Sequence, residues 1–268
     1  MSTNDSKRKV LLISIDKQPF FDDMYSDFLS ALKSRASVTE ATKVKDANDE
    51  LSSLNPTAVC VTSGEFALPK HKPLQASVLQ YAKSGGTVVF CGLFSSMVRW
   101  DNFDALLKSW SLPWKTGAYN RTTFQLNPSR PERLRKFSQL ASSYSMKAVY
   151  IKGAPVTDHV YITTKESRIE SHVFAPTSAQ FTEQAPVIFT TLGKGYVGYI
   201  GDVNAEDLST PVVLGMCNLV ADGQCQYCGK NGSKRCARCE TARYCSRECQ
   251  AKDWKEHKLV CQPKSEGI

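Results

Sequence analysis

Pro73-Leu74-Gln75-Ala76-Ser77-Val78-Leu79-Gln80-Tyr81-Ala82-Lys83-Ser84-Gly85-Gly86-Thr87-Val88-Val89-Phe90-Cys91-Gly92 sets a helical pattern against an apolar run, with two glycines between them. The spacing predicts a helix over Pro73–Lys83, a stop at Gly85-Gly86 and a buried strand over Thr87–Gly92. The same alternation extends upstream. Val10–Ile15 reads as a strand, Phe21–Ser34 as a helix, Ser37–Thr42 as a β-rich stretch and Ala58–Thr62 as a further strand. Strands separated by helices imply βαβ units with right-handed crossovers, and therefore a mainly parallel sheet in an α/β sandwich. Downstream of a section holding Trp100, Trp110 and Trp114, β-like runs recur at Ala148–Ile151, His159–Thr163 and Val187–Thr191. A strand at Tyr196–Gly201 and a helix at Thr210–Val220 close the domain.

The 268 residues, 41% hydrophobic and 22% charged, suffice for one sizeable core and a small accessory module, which excludes disordered, collagenous and repeat architectures. No apolar run approaches the roughly 18–20 residues of a membrane helix. The longest clean candidate, Val10-Leu11-Leu12-Ile13-Ser14-Ile15, is strand-sized. The first nine residues are polar and basic and carry no secretory signal, so the chain is expected to stay inside the cell, in cytoplasm or nucleus. The sequons at Asn4 and Asn120 then have no use as glycosylation sites.

Cysteine placement divides the chain near Ala221-Asp222-Gly223. Of ten cysteines, Cys60, Cys91 and Cys217 are scattered, whereas seven crowd between Cys225 and Cys261. A dense cluster in a reducing compartment points to metal rather than disulfides. The pattern runs Cys225-x2-Cys228-x7-Cys236-x2-Cys239-x5-Cys245-x3-Cys249-x7-His257-x3-Cys261. Eight ligands make two tetrahedral zinc sites. The last two pairs are four apart, which predicts short helices carrying Cys245 with Cys249 and His257 with Cys261, around the polar stretch Gln250 to Glu256. Spacing alone leaves open which pairs share an ion.

Residues 225–261 strongly resemble the MYND zinc finger in all eight ligand positions, in Tyr244 before the fifth cysteine, in Gln250 after the sixth and in Asp253-Trp254 before the histidine. The resemblance implies interleaved sites: Cys225, Cys228, Cys245 and Cys249 on one zinc, and Cys236, Cys239, His257 and Cys261 on the other. Each ion then closes a loop that contains ligands of its neighbour. With four protein ligands apiece, the zincs are expected to be structural rather than catalytic. So short a segment buries little apolar surface, and metal binding, on the order of 10–16 kcal/mol per structural zinc in zinc-finger peptides, would supply most of its stability.

The net charge of +8 invites a nucleic-acid reading, which the metal weakens. Ten Lys/Arg against six Asp/Glu from residue 222 onward give a formal +4. Seven thiolates with two Zn²⁺ reduce that to about +1, and the whole chain to about +5. The segment also lacks the two-cysteine, two-histidine spacing of a base-reading finger, so nucleic acid is not the expected partner.

The element order over residues 8–221 resembles the class I glutamine amidotransferase-like family of flavodoxin-like folds. The residues that carry the likeness are Gly85-Gly86 before a buried strand and the turn Leu192-Gly193-Lys194-Gly195 into Tyr196–Gly201. Active members of that family place a nucleophilic cysteine on a strained turn after the buried strand and a His-x-Glu after the last core strand. Here the strand ends in Cys91-Gly92-Leu93-Phe94 and the late site reads Asn204-Ala205-Glu206, with asparagine where the base belongs. A thiol without a paired base lacks the activation that nucleophilic catalysis requires. Cys91 is therefore expected to be a buried strand residue, His159 and His172 structural, and the domain non-catalytic.

Two other signals read as structural. Gly193-Lys194-Gly195-Tyr196-Val197-Gly198 spells G-x-G-x-x-G, but it lies between two β-like runs rather than at the start of a helix, which marks a hairpin turn. Arg130, Arg133, Arg135 and Lys136 read as the solvated face of a helix opening at Pro131-Glu132.

The reading is thus a tail (1–7), an amidotransferase-like α/β domain (8–221), a MYND-type finger (225–261) and a second tail (262–268). Its expected role is zinc-dependent protein interaction, with no enzymatic activity and no membrane association. Gln250 and Trp254, four apart on a helix, set a hydrogen-bonding amide beside an apolar plate suited to stiff polyproline. The resemblance implies the same ligand, a short proline-containing segment of a partner protein. The alternative is a hydrolase or amidotransferase-like enzyme using Cys91 or Ser63, targeted by the finger. A SET-type methyltransferase is disfavoured, because no matching asparagine-histidine motif is present.

Overall fold

Strand β1 (Arg8–Ile13) leaves two charged residues at the surface and then buries every side chain from Val10 to Ile13. A strand with no polar face must be covered on both sides. The computed structural model describes residues 8–135, 137, 139–170, 175, 177–179, 181–219, 225, 232–240 and 242–261, without the side chains of 255–257, 259 and 260. Helices α1 (Phe21–Met24) and α2 (Ser26–Arg35) pack Phe21, Phe28 and Leu32 onto the face that holds Val10 and Leu12. After β2 (Ala36–Ala41), helix α3 (Val44–Leu54) buries Ala47 on the opposite face, with Leu11 and Ile13. Strand β3 (Ala58–Val61), helix α4 (Lys72–Lys83) and strand β4 (Thr87–Phe90) complete the expected units. Their strands pair in parallel in the order β2-β1-β3-β4.

The helix expected over Phe21–Ser34 is interrupted at Tyr25. Helix α3 was not among the expected elements, although Val44, Ala47, Leu51 and Leu54 lie at helical spacing and pack on the face that holds Leu11 and Ile13; Asn48, Ser52 and Ser53 bond back to carbonyls four residues earlier. The tryptophan-bearing section forms α5 (Phe94–Met97) and α6 (Trp100–Ser109), followed by β5 (Lys115–Leu126). Helix α6 buries Phe103, Leu106 and Leu107 beside α4.

The one-turn helix α7 (Glu132–Arg135) precedes β6 (Ser143–Lys152), β7 (His159–Ile162), β8 (Arg168–Ile169), β9 (Thr177–Ser178), β10 (Gln184–Ala185), β11 (Val187–Leu192) and β12 (Gly195–Ile200). Helix α8 (Ser209–Met216) closes the domain, shorter than the expected Thr210–Val220. Among the described residues one sheet of ten strands runs β10-β6-β5-β7-β11-β12-β4-β3-β1-β2, with β8 and β9 forming a separate ribbon. Strand β12 joins β4 in parallel, so β2-β1-β3-β4-β12 carries the flavodoxin-like order. From β12 onward every pairing is antiparallel.

The G-x-G-x-x-G segment is the β11–β12 hairpin. Gly193 takes φ +63°, Lys194 N–H donates to Lys83 O at 2.9 Å and Tyr196 N–H donates to Gly86 O at 2.9 Å. A Cβ on Gly195 would lie 2.0 Å from that same Gly86 oxygen, so both turn glycines serve close packing against the end of α4.

The arginine cluster departs from the solvated-face reading. Arg133 lies 4.4 Å from the Tyr196 ring centre and bonds Thr87 Oγ1 at 3.3 Å. Arg130 Nη1 bonds Asn127 O at 3.2 Å and Arg135 Nε bonds Arg130 O at 2.7 Å. The guanidinium groups fold back onto carbonyls of the segment that leads into α7. Lys136 lies outside the described residues. None of the helices among the described residues is long and apolar enough to cross a membrane.

Phe90 sits at the centre of one face, with Phe94, Trp110, Phe103 and Phe66 ring centres 4.7, 5.5, 5.8 and 6.1 Å away. Phe90→Ala is expected to destabilise the domain by about 3–5 kcal/mol in urea unfolding, because so crowded a site cannot collapse around the void.

Candidate functional site

The C-terminal module begins from a short ribbon. Strand β13 (Lys234–Arg235) pairs antiparallel with β14 (Arg243–Tyr244), and Cys236 N–H extends the pairing to Ala242 O at 2.8 Å. Between them Cys236 to Glu240 form a tight turn, closed by Glu240 N–H to Cys236 O at 2.8 Å, with Glu240 at φ +53°. That turn presents Cys236 and Cys239 together. Helix α9 (Arg247–Val260) follows, capped by Ser246 Oγ accepting from Cys249 N–H at 3.2 Å. One continuous helix thus replaces the expected pair. Cys245 precedes its cap, Cys249 lies in its first turn and Cys261 follows its end.

The six described cysteines of the module gather into two groups, Cys225 with Cys245 and Cys249, and Cys236 with Cys239 and Cys261. Within each group the sulfurs all lie within 4.8 Å of one another. Zinc–sulfur bonds of about 2.3 Å in a tetrahedron separate neighbouring sulfurs by roughly 3.8 Å. The structure sets Cys245 and Cys249 sulfurs 3.5 Å apart, and those of Cys236 and Cys261 3.8 Å apart. The donor sets therefore fit Zn²⁺, and they join distant parts of the segment. Cys228 and the side chain of His257, the fourth ligand expected for each group, lie outside the described residues.

The miniature core of this module contains Tyr244, Ala242 and the cysteines themselves. Tyr244 is fully buried, and its hydroxyl donates to Asp253 Oδ2 at 2.7 Å, tying the ribbon to α9. Trp254, one residue further, remains 40% exposed, and Gln250 is half-buried four residues before it.

The second candidate region is the edge where β4 and β12 end. Cys91 is fully buried, and the residue that adopts the left-handed turn conformation is Gly92, at φ +62°. The strained position therefore has no side chain, and Cys91, expected as a strand residue, lies between the end of β4 at Phe90 and that turn, its N–H still donating to Val61 O at 3.0 Å. Behind it Cys60 and Cys217 sulfurs are 3.6 Å apart, and this contact together with burial holds the Cys217 thiol well above its usual range.

Among the described residues no histidine hydrogen-bonds Cys91. His159 Nε2 lies 3.1 Å from Ala154 O, and its other ring nitrogen has no hydrogen-bond partner. His172 lies outside the described residues. Ser63 Oγ is buried without a hydrogen-bond partner. Beyond β12, Asn204 and Glu206 face Arg121: Glu206 forms an ion pair with it, and the Asn204 amide, oriented to satisfy its neighbours, accepts from Arg121 Nη2 at 2.7 Å. Asp202 holds this loop by accepting from the amides of Asn204 at 2.9 Å and Glu206 at 2.8 Å. Burial raises its pKa, with the charge of Glu206 adding to the effect.

Sequence reading missed Asp202, Arg121 and Tyr25 at this edge. Asp202 directly follows the last parallel strand and was open to discovery from position alone. Arg121 arrives from β5 through a distant sheet pairing and had no local signal.

Residues 225–261 match the MYND finger family. Over 40 residues the chain is 52% identical to the zinc finger MYND domain-containing protein 10 homolog of Drosophila melanogaster, a match covering 15% of this chain and 9% of that protein. It is 50% identical over 46 residues to ubiquitin carboxyl-terminal hydrolase 19 of Arabidopsis thaliana, covering 16% and 7% respectively. The likeness to these relatives is confined to the finger and spans a small part of their length. Among solved structures, a ThuA-like protein from Bacteroides uniformis covers 83% of this chain and 94% of its own at a TM-score of 0.51 and 11% identity, a likeness of fold alone.

Elemental analysis of the purified chain is expected to give two zinc ions. Cys245→Ala should lower the content towards one while the Cys236, Cys239 and Cys261 group keeps its ion, because the two groups share no donor. Loss of metal from the Cys236 group alone would contradict the grouping.

Proposed function

We propose that the chain is an interaction protein. Its finger carries two structural zincs, held by Cys225, Cys228, Cys245 and Cys249, and by Cys236, Cys239, His257 and Cys261. It takes a short proline-containing segment of a partner protein across Gln250 and Trp254. The observation that carries this reading is the division of labour between two aromatics. Tyr244 fills the miniature core, whereas Trp254, ten residues on, stays 40% exposed on the same helix as Gln250. An aromatic face beside an amide that both donates and accepts suits a polyproline segment, which loses little entropy on docking. Zinc supplies the cross-links, and the chain's own residues supply the recognition face.

In this reading residues 8–221 form a non-catalytic, amidotransferase-like scaffold. Support comes from the flavodoxin-like strand order, from glycine at the strained turn after β4, and from engagement of Asn204 and Glu206 by Arg121. The reading also places the protein in a reducing compartment, where the clustered thiols bind metal.

Trp254→Ala should retain both zincs and weaken binding to a proline-rich peptide by roughly 30-fold, the ~2 kcal/mol typical of an aromatic anchor. Fluorescence anisotropy against a composition-matched proline-free peptide measures this. Cys236→Ala should lose zinc and peptide binding together. Undiminished peptide binding by zinc-loaded Trp254→Ala would overturn the assignment of this face. For the α/β domain, glutamine hydrolysis abolished by Cys91→Ser would replace the scaffold reading with the enzymatic one.

A further inference from the structure

Between α2, α8 and the ends of β4 and β12 lies a cavity of about 80 Å³, lined by Tyr25, Cys91 and Asp202 at its inner end. That is room for more than one water-sized group, and the lining chemistry is one-sided. Four carboxylates border it, Asp27, Asp202, Glu206 and Asp207, with no Lys, Arg or His among the lining residues. Glu206 is already paired with Arg121. Among the described residues Asp202 forms no ion pair: it is 5% exposed, its two oxygens accept the backbone amides of Asn204 and Glu206, and the Ser209 hydroxyl also bonds it, which leaves one acceptor position on the carboxylate for a cation. Asp27 and Asp207 are exposed, at the rim.

An independent observation points to a ligand. Tyr25 is 7% exposed, its hydroxyl is buried, and that hydroxyl has no hydrogen-bond partner. Tyr25, Cys91 and Asp202 line the same cavity, and burial raises the pKa of the Tyr25 hydroxyl, with the charge of Asp202 adding to the effect. A buried, unsatisfied hydroxyl costs about 1–3 kcal/mol, and a ligand that hydrogen-bonds it recovers that cost.

The end of α8 at the cavity does not favour an anion. Its first two amides, Ser209 and Thr210, bond the carbonyls of Glu206 at 2.8 Å and Asp207 at 3.3 Å, and the third position is Pro211, which has no N–H. A bound metal ion is also disfavoured: among the described residues the only groups of three or more metal-type ligand atoms close together are those of the finger. Phe28, Ile200 and Val213 supply an apolar wall between the buried and rim carboxylates.

We propose that this cavity binds a small aliphatic amine. One ammonium would be held by the Asp202 carboxylate and the Tyr25 hydroxyl oxygen, a methylene chain would lie against Phe28 and Val213, and a second ammonium would sit at the rim by Asp27 and Asp207. The proposal concerns the α/β domain and is independent of what the finger binds.

The test uses the full-length, zinc-loaded chain and isothermal titration calorimetry with three probes of one length: 1,4-diaminobutane, 1,4-butanediol and succinate. The diamine should bind at one site per chain, and the diol and succinate should not. Tyr25→Phe removes only the hydroxyl and should weaken diamine binding about tenfold, while Asp202→Asn should abolish it. Should Asp202→Asn fail to fold because the loop amides lose their acceptor, Tyr25→Phe decides. Absence of diamine binding, equal binding of the diol or succinate, or diamine affinity unchanged in Tyr25→Phe would each overturn the proposal; the last would identify surface attraction to scattered carboxylates.

Discussion

The parallel pairing of Gly195–Ile200 with Thr87–Phe90 is the joint on which the larger domain depends. On one side of it lie strands buried on both faces, which require helices above and below. On the other the chain returns through hairpins and antiparallel strands. The joint tolerates no side chain at Gly195, because the hairpin tip rests against the turn that ends α4. It also decides what meets at the sheet edge. Cys91 follows one strand of the pair and Asp202 follows the other, so residues 111 apart in sequence line one cavity. The antiparallel half brings β5 round the sheet, and with it Arg121 to Glu206. The sheet edge is lined by four carboxylates, one of them held by an arginine.

The finger solves the opposite problem. It has too little apolar surface to fold by burial, and most of its miniature core consists of the thiols themselves. Metal coordination is then the dominant cohesive term. Grouping Cys225 with Cys245 and Cys249, across the Cys236–Cys239 turn, ties each half of the segment to the other. The ribbon and helix are held further by Tyr244 and Asp253, and Trp254 is 40% exposed. The residues that hold this small module together are thus distinct from the face proposed to bind a partner.

The sequence by itself determined the finger in nearly complete form, because metal ligation fixes residue type and spacing so tightly that eight positions suffice. It also determined the alternation of strand and helix through β4, where each element carries its own periodic apolar signal. The parallel core was legible for that reason, and so was the hairpin at Gly193–Gly195. Helix α3 carries such a signal as well, in Val44, Ala47, Leu51 and Leu54, and was passed over because polar residues fill every position between them. Cys245 was misplaced onto a helix because the i, i+4 spacing of ligands does not reveal where Ser246 caps it. What only the tertiary structure decided are relations between distant segments: Arg133 laid over Tyr196, Arg121 drawn to Glu206, and Tyr25 brought beside Asp202. No local pattern encodes them, because each depends on strand order across the sheet, and strand order is set by which faces must be buried together rather than by any one stretch of residues.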